Sequence, residues 1–438
     1  MVFALALVAG AQLVVRVGTV DITPPEPLPL GGYTERGGQL MEPGGEPLLA
    51  RAVQFEHGEF KIRLVSAEML TIPESLRREV RSRLPQDVKL FLTATHTHSA
   101  PDSQMLNERM TMAVPGIATF RRQWLDWYAG RIAHVQLGLP NRIDALAVSF
   151  LDPGLNRGRR IAADPDPLAS RVDVLVKPDR WAQLLLHYSA HAIVHGPANF
   201  RTHGDWPGAV AARAGVPVLI GPIGDVSPAG DGDAEGRLRQ FVDQLAGRKF
   251  GSPFQLFKAG DPVKWHEEPV DLPPVVPHPE FAQRYNVPPA LASLVVGAFA
   301  PREASVSAFR LGKLAVVGIP GEPTSHIGRR IRDYGRRIGF RHVLVVSHVN
   351  GWIGYILDPV DYDRGGYEAT LSFHGRETGM RVAEAAEEAL EALRGHAPAP
   401  SSSRGKASTA WRQSSDRVGP LRVHLEPGPS GPPRTWQP

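Results

Sequence analysis

The chain has 438 residues, of which 42% are hydrophobic and 21% charged, with no cysteine and a formal net charge of +4. This composition is typical of a globular protein and excludes disorder throughout, and the lack of cysteine excludes disulfides, cysteine-zinc clusters and thiol nucleophiles. Six basic and two acidic residues follow residue 400, so the remaining body is neutral and lacks the basic surface that nucleic-acid binding usually requires.

The N-terminal residues 1–11 are apolar and end in Ala9-Gly10-Ala11, which fits a signal-peptidase site, although no basic residue precedes them. We interpret them as a short signal peptide, which favours an extracytoplasmic protein, either secreted or periplasmic. The alternative is a cytoplasmic protein with a native start, in which residues 13–17 belong to a first buried strand. No other run approaches the ~20 apolar residues of a membrane span, so no transmembrane segment is expected.

Short apolar and β-branched segments recur along the chain, and helical patterns lie between several of them. Ile327, Ile331, Tyr334 and Ile338 predict a helix that stops at Gly339, and a second helical pattern over 382–393 stops at Gly395. Strands mixed with helices predict an α/β (mixed α+β) fold, in which mixed β-sheets flanked by helices form one large catalytic domain over residues 12–396. The predicted strands cover residues 13–20, 62–66, 88–92, 145–150, 173–176, 182–188, 216–220, 315–319 and 343–347.

Two segments depart from this pattern. Residues 251–301 contain ten prolines, which remove backbone donors, so we expect an ordered loop excursion or a lid with little regular structure. Residues 397–438 are rich in Pro, Ser, Gly and Arg with few large apolar groups, and they predict a disordered basic tail.

Two histidines one residue apart follow an apolar run, in the segment Thr95-His96-Thr97-His98-Ser99. In an extended chain His96 and His98 point the same way from the end of a strand. Neutral imidazole is a common zinc ligand, so the pair suggests a metal site. The alternative for this stretch alone is a solvated loop that happens to hold two histidines.

A second histidine cluster comprises His187, His191 and His195, whose spacing of four allows all three rings to converge. Each of His187 and His195 could instead be a hydrogen-bonded structural histidine. Further polar groups follow predicted strands, among them Ser227, Glu322 and the loop 348–355. Glu322 also precedes a predicted helix N-terminus, which would keep its carboxylate ionised. Loops at strand ends are the usual ligand-binding edge of an α/β sheet, so we expect a metal site there.

Both in its motifs and in their order along the sequence, the chain resembles the neutral/alkaline, non-lysosomal ceramidases. These are zinc amidases that hydrolyse N-acylsphingosine. The resemblance covers roughly residues 14–393. Its segments are 17–24, Thr95 to Ser99, Asn156-Arg157, Ser189-Ala190-His191, 224–228, Pro320-Gly321-Glu322 with 328–330, and 350–355 with Tyr367-Glu368.

The resemblance implies a role for each matched residue. His96, His191, Glu322 and Tyr355 match the ligands of one zinc ion per chain. Ser227 matches the catalytic serine beside the metal-bound water, and His98 matches a group that holds the scissile amide, with proton delivery to the leaving amine as an added hypothesis. Arg157 and Tyr367 match groups that hold the substrate.

Departures from the family pattern bear on the substrate. Ala100-Pro101-Asp102 replaces a glycine-rich run, and Ala229 replaces the usual Asn after Ser-Pro. The family's C-terminal immunoglobulin-like domain of about 100 residues is not expected, because only about forty residues follow the last predicted helix.

The sequence therefore predicts a zinc-dependent hydrolase of a linear N-acyl amide, with a ceramide-like lipid as first expectation and peripheral membrane contact as its corollary. The alternatives are a zinc amidase or esterase for a smaller non-lipid substrate, and a non-catalytic relative that binds lipid or protein.

Overall fold

The computed structural model describes residues 12–58, 60–160, 162–176 and 180–395, which belong to one compact unit. The signal peptide predicted at residues 1–11 and the basic tail predicted at 397–438 lie outside the described residues. Secretion therefore stays a prediction. Among the helices of the described part, none is long and apolar enough to cross a bilayer.

The largest element is a nine-stranded mixed sheet with the order β4-β3-β2-β1-β5-β7-β8-β9, in which β11 also pairs with β5. Most neighbouring strands are antiparallel, whereas β3 with β4 and β8 with β9 are parallel. Its strands are β1 (Leu13–Asp21), β2 (Leu49–His57), β3 (Phe60–Ala67), β4 (Val88–Ala94), β5 (Asn141–Leu151), β7 (Ala169–Val176), β8 (Arg180–Tyr188), β9 (Val218–Ile220) and β11 (Phe254–Lys258).

A second sheet has four strands in the order β12-β13-β14-β16, and two short pairings stand apart from both sheets. The four strands are β12 (Val263–Pro269), β13 (Ser305–Leu311), β14 (Leu314–Gly318) and β16 (His342–Val346). The short pairings join β6 (Asn156–Gly158) to β10 (Val226–Pro228) and β15 (Glu322–Pro323) to β17 (Tyr355–Ile356).

The described residues also form ten α-helices. They are α1 (Glu74–Ser82), α2 (Arg122–Ala133), α3 (Asp205–Ala214), α4 (Ala234–Val242), α5 (Glu280–Arg284), α6 (Ala292–Phe299), α7 (Ser325–Arg337), α8 (Pro359–Asp363), α9 (Tyr367–Thr370) and α10 (Thr378–Arg394). The two helices predicted from periodicity are α7 and α10. Gly339 and Gly395 follow them with φ of 109° and 106°, a conformation that glycine adopts at low cost.

The two sheets pack face to face, and alternation along the strands decides which side chains meet between them. Phe91 of β4 contacts Phe309 of β13 in this inner layer, with ring centroids 5.3 Å apart. The neighbouring Leu90 and Leu92 point to the opposite face and pack with α1 and α2. Helices α7 and α10 cover the outer face of the four-stranded sheet. The mixed α/β fold with sheets flanked by helices is thus confirmed.

The expectation of little regular structure in residues 251–301 is wrong. This segment contains β11, β12, α5 and α6, and its prolines largely flank these elements. Pro253 and Pro262 precede the two strands, and Pro288 and Pro289 precede α6. Since β12 is an edge strand paired only with β13, it tolerates a proline at its end.

Candidate metal centre

His96 and His98 lie just beyond the end of β4, and their Nε2 atoms are 3.3 Å apart. They do not meet by the alternation of an extended strand, because β4 ends at Ala94 and His96 has a φ of 61°. A residue with a Cβ pays for this left-handed conformation, so the fold positions His96 against a local conformational cost. The two rings therefore do lie on the same side, as predicted, but the alternation of an extended strand is not what brings them together.

His96 and His191 are both buried, and a backbone carbonyl orients each ring. Nδ1 of His96 lies 2.8 Å from the carbonyl oxygen of Leu70, and Nδ1 of His191 lies 3.1 Å from that of Val226. Because a carbonyl only accepts hydrogen bonds, each Nδ1 carries the proton and donates it. Each Nε2 is then unprotonated and carries an acceptor lone pair, the arrangement that metal-binding histidines adopt, and that of His96 also lies within hydrogen-bond distance of Nε2 of His98.

Glu322 places a carboxylate oxygen between these two lone pairs. Its Oε2 lies 3.6 Å from Nε2 of His96 and 3.4 Å from Nε2 of His191. Its Oε1 accepts a hydrogen bond of 3.0 Å from Nε1 of Trp352, which fixes the carboxylate. Among the described residues, Oε2 of Glu322 and Nε2 of His191 have no hydrogen-bond partner although both are buried. Buried polar atoms without partners are costly, and a cation between them removes that cost.

The electrostatics of the cluster also suit a cation. Burial lowers the pKa of His191 to about 4, and the nearby Arg159 adds to this decrease. Burial alone would raise the pKa of Glu322, but the imidazoles of His96, His191 and His348 outweigh it and hold that pKa well below its usual range. Neutral imidazoles around an ionised carboxylate form the donor set that zinc requires. The first backbone N–H of α7, that of Ser325, donates to Asp225.

Tyr355 lies beside Glu322 because the two residues are paired in register between β17 and β15. It is buried, and its hydroxyl oxygen accepts a hydrogen bond of 3.1 Å from Nη2 of Arg159. Burial raises the pKa of Tyr355 well above its usual range, and Glu322 adds to that increase. The ring of Tyr367, which is 41% exposed, stands 5.8 Å from that of Tyr355. Both matched tyrosines therefore lie at this centre.

Arg159 is a residue that sequence reasoning missed. Its Nε donates to Glu368 at 2.8 Å and its Nη2 to the carbonyl of Gly224, so it links Tyr355 to the buried Glu368. Arg157, chosen on the family motif, is exposed and lies on β6 in register with Ser227 of β10. Arg157 and Arg159 are two residues apart, and that spacing was the only available hint of the second arginine.

His348 begins the predicted loop 348–355, but the sequence analysis gave it no role of its own. It is fully buried, and its ring stacks on that of His96 with centroids 4.2 Å apart. Neither ring nitrogen has a hydrogen-bond partner in the described part of the chain. Its ligand atom, with those of His96 and Glu322, forms a group within 4.8 Å. It follows β16, so its place at a strand end was the available signal.

The other predicted residues divide into two groups. Ser227 is half-buried on β10, next to Val226, whose carbonyl orients His191. His187 and His195 do not join the cluster, because β8 ends at Tyr188 and no regular structure continues the spacing of four. His187 donates to the carbonyl of Val345 at 2.9 Å, and the His195 ring stands 4.4 Å from that of His203.

Comparisons with known proteins bear on the family and the fold of this chain. No family model matches the chain. It is 28% identical to a neutral ceramidase of Mycobacterium tuberculosis (strain ATCC 25618 / H37Rv) over 180 residues, which are 40% of this chain but only 28% of that relative. It is also similar to the crystal structure of neutral ceramidase from Pseudomonas aeruginosa, with a TM-score of 0.72 and 18% identity over 91% of this chain and 77% of that one. A ceramidase complexed with C2 gives a TM-score of 0.71 at 18% identity, over 91% and 78% of the two chains. The shared fold and the sequence match together confirm the resemblance of this chain to the neutral ceramidase family.

Proposed function

We propose that this chain is a zinc-dependent amidohydrolase that cleaves a linear N-acyl amide, with a ceramide-like lipid as the preferred substrate. One observation carries the proposal: Nε2 of His96 and Nε2 of His191 face the same buried Oε2 of Glu322, at 3.6 and 3.4 Å. His96, His191 and Glu322 would hold the ion, with Tyr355 beside them as the fourth ligand. Zinc supplies Lewis-acid activation of water and of the scissile carbonyl at neutral pH.

The protein's own residues would position the substrate and handle its protons. Nε2 of His98 lies 3.3 Å from Nε2 of His96, so the His98 ring is close enough to contact the amide at this centre. Arg159 would keep the Tyr355 hydroxyl in place, because it is itself anchored by Glu368. Ser227 would act beside the reacting water, and Arg157 and Tyr367 would hold the substrate at the exposed side of the centre.

A row of aromatic rings supports a lipid substrate. Trp352, which donates to Glu322, stands 5.5 Å from the ring of Phe373, and Phe373 stands 5.4 Å from Phe299 of α6. On α6 and the turn before it, Leu294 is 71% and Leu291 47% exposed. A packed apolar cluster thus leads from the carboxylate to the exposed leucines at α6, which form an apolar surface that an acyl chain or a membrane could contact.

The test is turnover of a panel of N-acyl amides by the purified protein, together with its metal content. We expect the protein to hydrolyse N-acyl sphingoid substrates, to lose activity on treatment with a chelator, and to regain it with zinc. Activity confined to short, non-lipid amides or esters would instead support the smaller-substrate alternative. A protein that binds lipid but turns over no member of the panel, with zinc present, would contradict the proposal.

A further inference from the structure

A second group of metal-binding side chains lies apart from the centre described above. It comprises His326 in the first turn of α7, Asp358 directly before α8, and Asp361 within α8. Nδ1 of His326 lies 3.3 Å from Oδ2 of Asp358 and 3.3 Å from Oδ2 of Asp361. One atom from each of the three side chains therefore faces the same small volume.

Each carboxylate in this group has one oxygen engaged and turns the other towards His326. Oδ1 of Asp358 accepts from the backbone N–H of Val360 and of Asp361, at 2.8 and 3.0 Å. Oδ1 of Asp361 accepts from Nη1 of Arg364 at 2.9 Å. These contacts fix both carboxylates, as groups around a metal commonly do for its ligands.

Asp361 is the member that ordinary helix capping does not explain. Its side chain is 2% exposed, and its Oδ2 is buried without a hydrogen-bond partner among the described residues. Asp358 serves as the N-cap of α8, so its position has a structural reason of its own. A buried carboxylate oxygen without a donor is costly unless a bound cation compensates it.

We propose a second divalent-cation site that binds zinc and is formed by His326, Asp358 and Asp361. Ligand atoms about 2.1 Å from a tetrahedral ion lie roughly 3.4 Å from one another, which matches the two distances of 3.3 Å. The two carboxylates and Arg364 together carry one negative charge, so a cation is electrostatically favoured. The imidazole favours zinc over calcium, and His326 is exposed enough, at 35% of its side chain, for water to complete the coordination.

The position of this site indicates what the ion would do. Glu322 lies just before α7, and Tyr355 lies just before α8. An ion shared by α7 and α8 would hold these helices together and thereby stabilise the pairing of Glu322 with Tyr355. Only this consequence rests on the proposed function, because the site itself is built from other residues.

The experiment counts zinc in the metal-stripped full chain after reloading with Zn²⁺ and gel filtration. The variants are His326→Ala and Asp358→Asn, the second of which keeps a capping side chain on α8. The control is His266→Ala, since His266 forms an ordinary accessible pair with Glu268 at 2.6 Å. We expect two zinc ions per chain in the wild type and in His266→Ala, and one in each site variant.

The outcomes separate this proposal from the proposed function. If His326→Ala and Asp358→Asn, folded by circular dichroism, retain the wild-type zinc count, the second site does not exist. If His326→Ala does not fold, Asp358→Asn alone decides in the same way. If both site variants lose one ion while His96→Ala loses none, the second site stands and the proposed zinc centre at His96 fails. Calcium in excess should not displace the second ion, and its displacement would overturn the assignment to zinc.

Discussion

Glu322 and Tyr355 are register partners in a parallel pairing that is only two residues long on each strand. The backbone N–H of Glu322 donates to the carbonyl of Gly354 at 3.0 Å, and that of Thr324 donates to the carbonyl of Ile356 at 3.0 Å. Partners in register project their side chains to the same side, so this short pairing places a carboxylate and a phenol together. The pairing thereby joins the loop that follows β14 to the loop that follows β16. Together these loops form one wall of the candidate metal centre.

The first prediction concerns the ligands of that centre. His96→Ala and His191→Ala should each remove the zinc ion held there and lower activity more than about 100-fold, since even changes around a metal's ligands commonly cost 10–100-fold. Metal analysis and turnover of an N-acyl amide measure the two effects. His134→Ala, at the exposed end of α2, is the control and should change neither. Full activity in a metal-free His96→Ala protein would contradict the prediction.

Ser227 provides a second, different test. Ser227→Ala should lower turnover by about 1000-fold, comparable to the loss of a transition-state hydrogen bond, while the zinc content stays unchanged. The reason is that the family match places this hydroxyl beside the reacting water and not among the ligands. Ser82→Ala on the exposed side of α1 serves as the control. Loss of zinc from Ser227→Ala would show that the residue belongs to the metal centre itself.

The two neighbouring arginines should differ in what they lose. Arg159→Gln leaves the buried Glu368 without one of its cations and Tyr355 without its donor, so we expect a loss of about 2–3 kcal/mol in the free energy of unfolding. Arg157→Gln, on the exposed β6, should keep wild-type stability and raise KM more than it lowers kcat. Denaturant unfolding and steady-state kinetics on both variants check this. Equal stability of the two would mean that the contacts of Arg159 contribute little.

The acyl-binding hypothesis predicts a chain-length series. Each buried methylene contributes up to ~0.8 kcal/mol, so kcat/KM should rise several-fold per two carbons until the apolar surface is filled. Leu294→Ser on α6 should reduce kcat/KM for long chains and leave short chains unaffected. Leu139→Ser, at another highly exposed leucine outside this segment, is the control. If kcat/KM does not change between acyl chains of about two and about sixteen carbons, the proposal of a lipid substrate is wrong. The proposed zinc amidase activity would not be affected by that result.

Acid should destabilise the protein through buried histidines such as His342. Burial lowers the pKa of His342 to about 3, and His187 adds to this decrease. In the unfolded chain its pKa is about 6.5, so between these values the unfolded state binds a proton that the folded state does not. Stability is therefore fully present above pH 6.5 and falls by about 1.4 kcal/mol per pH unit as the pH decreases towards 3.

His342→Gln tests this contribution, since it removes the titrating group and retains a polar side chain near Ser170. We expect urea unfolding between pH 7 and pH 5 to give a dependence of the unfolding free energy on pH whose slope is smaller than in the wild type, by a difference that approaches about one proton near pH 5. An unaltered slope in His342→Gln would mean that folding does not lower the pKa of His342.

Local sequence patterns were sufficient for much of the fold. The periodicity of 327–338 and the glycine after it predicted α7, and most of the apolar runs correspond to strands of the two sheets. These patterns failed at residues 251–301. The high proline content predicted little regular structure there, whereas most of the prolines flank the strands and helices of the segment. Spacing also failed for His187 and His195, since the chain leaves regular structure directly after Tyr188.

The sequence by itself determined which donor groups follow the strands, because hydrophobic alternation and turn residues act over a few neighbouring positions. Only the tertiary structure decided that His96, His191 and Glu322 meet, since their contacts join residues far apart in the chain. It also decided the roles of Arg159 and His348, whose environments depend on the pairing of β15 with β17 and on the stacking of one imidazole upon another. Local patterns specify elements, whereas the packing of elements from distant segments assembles the site.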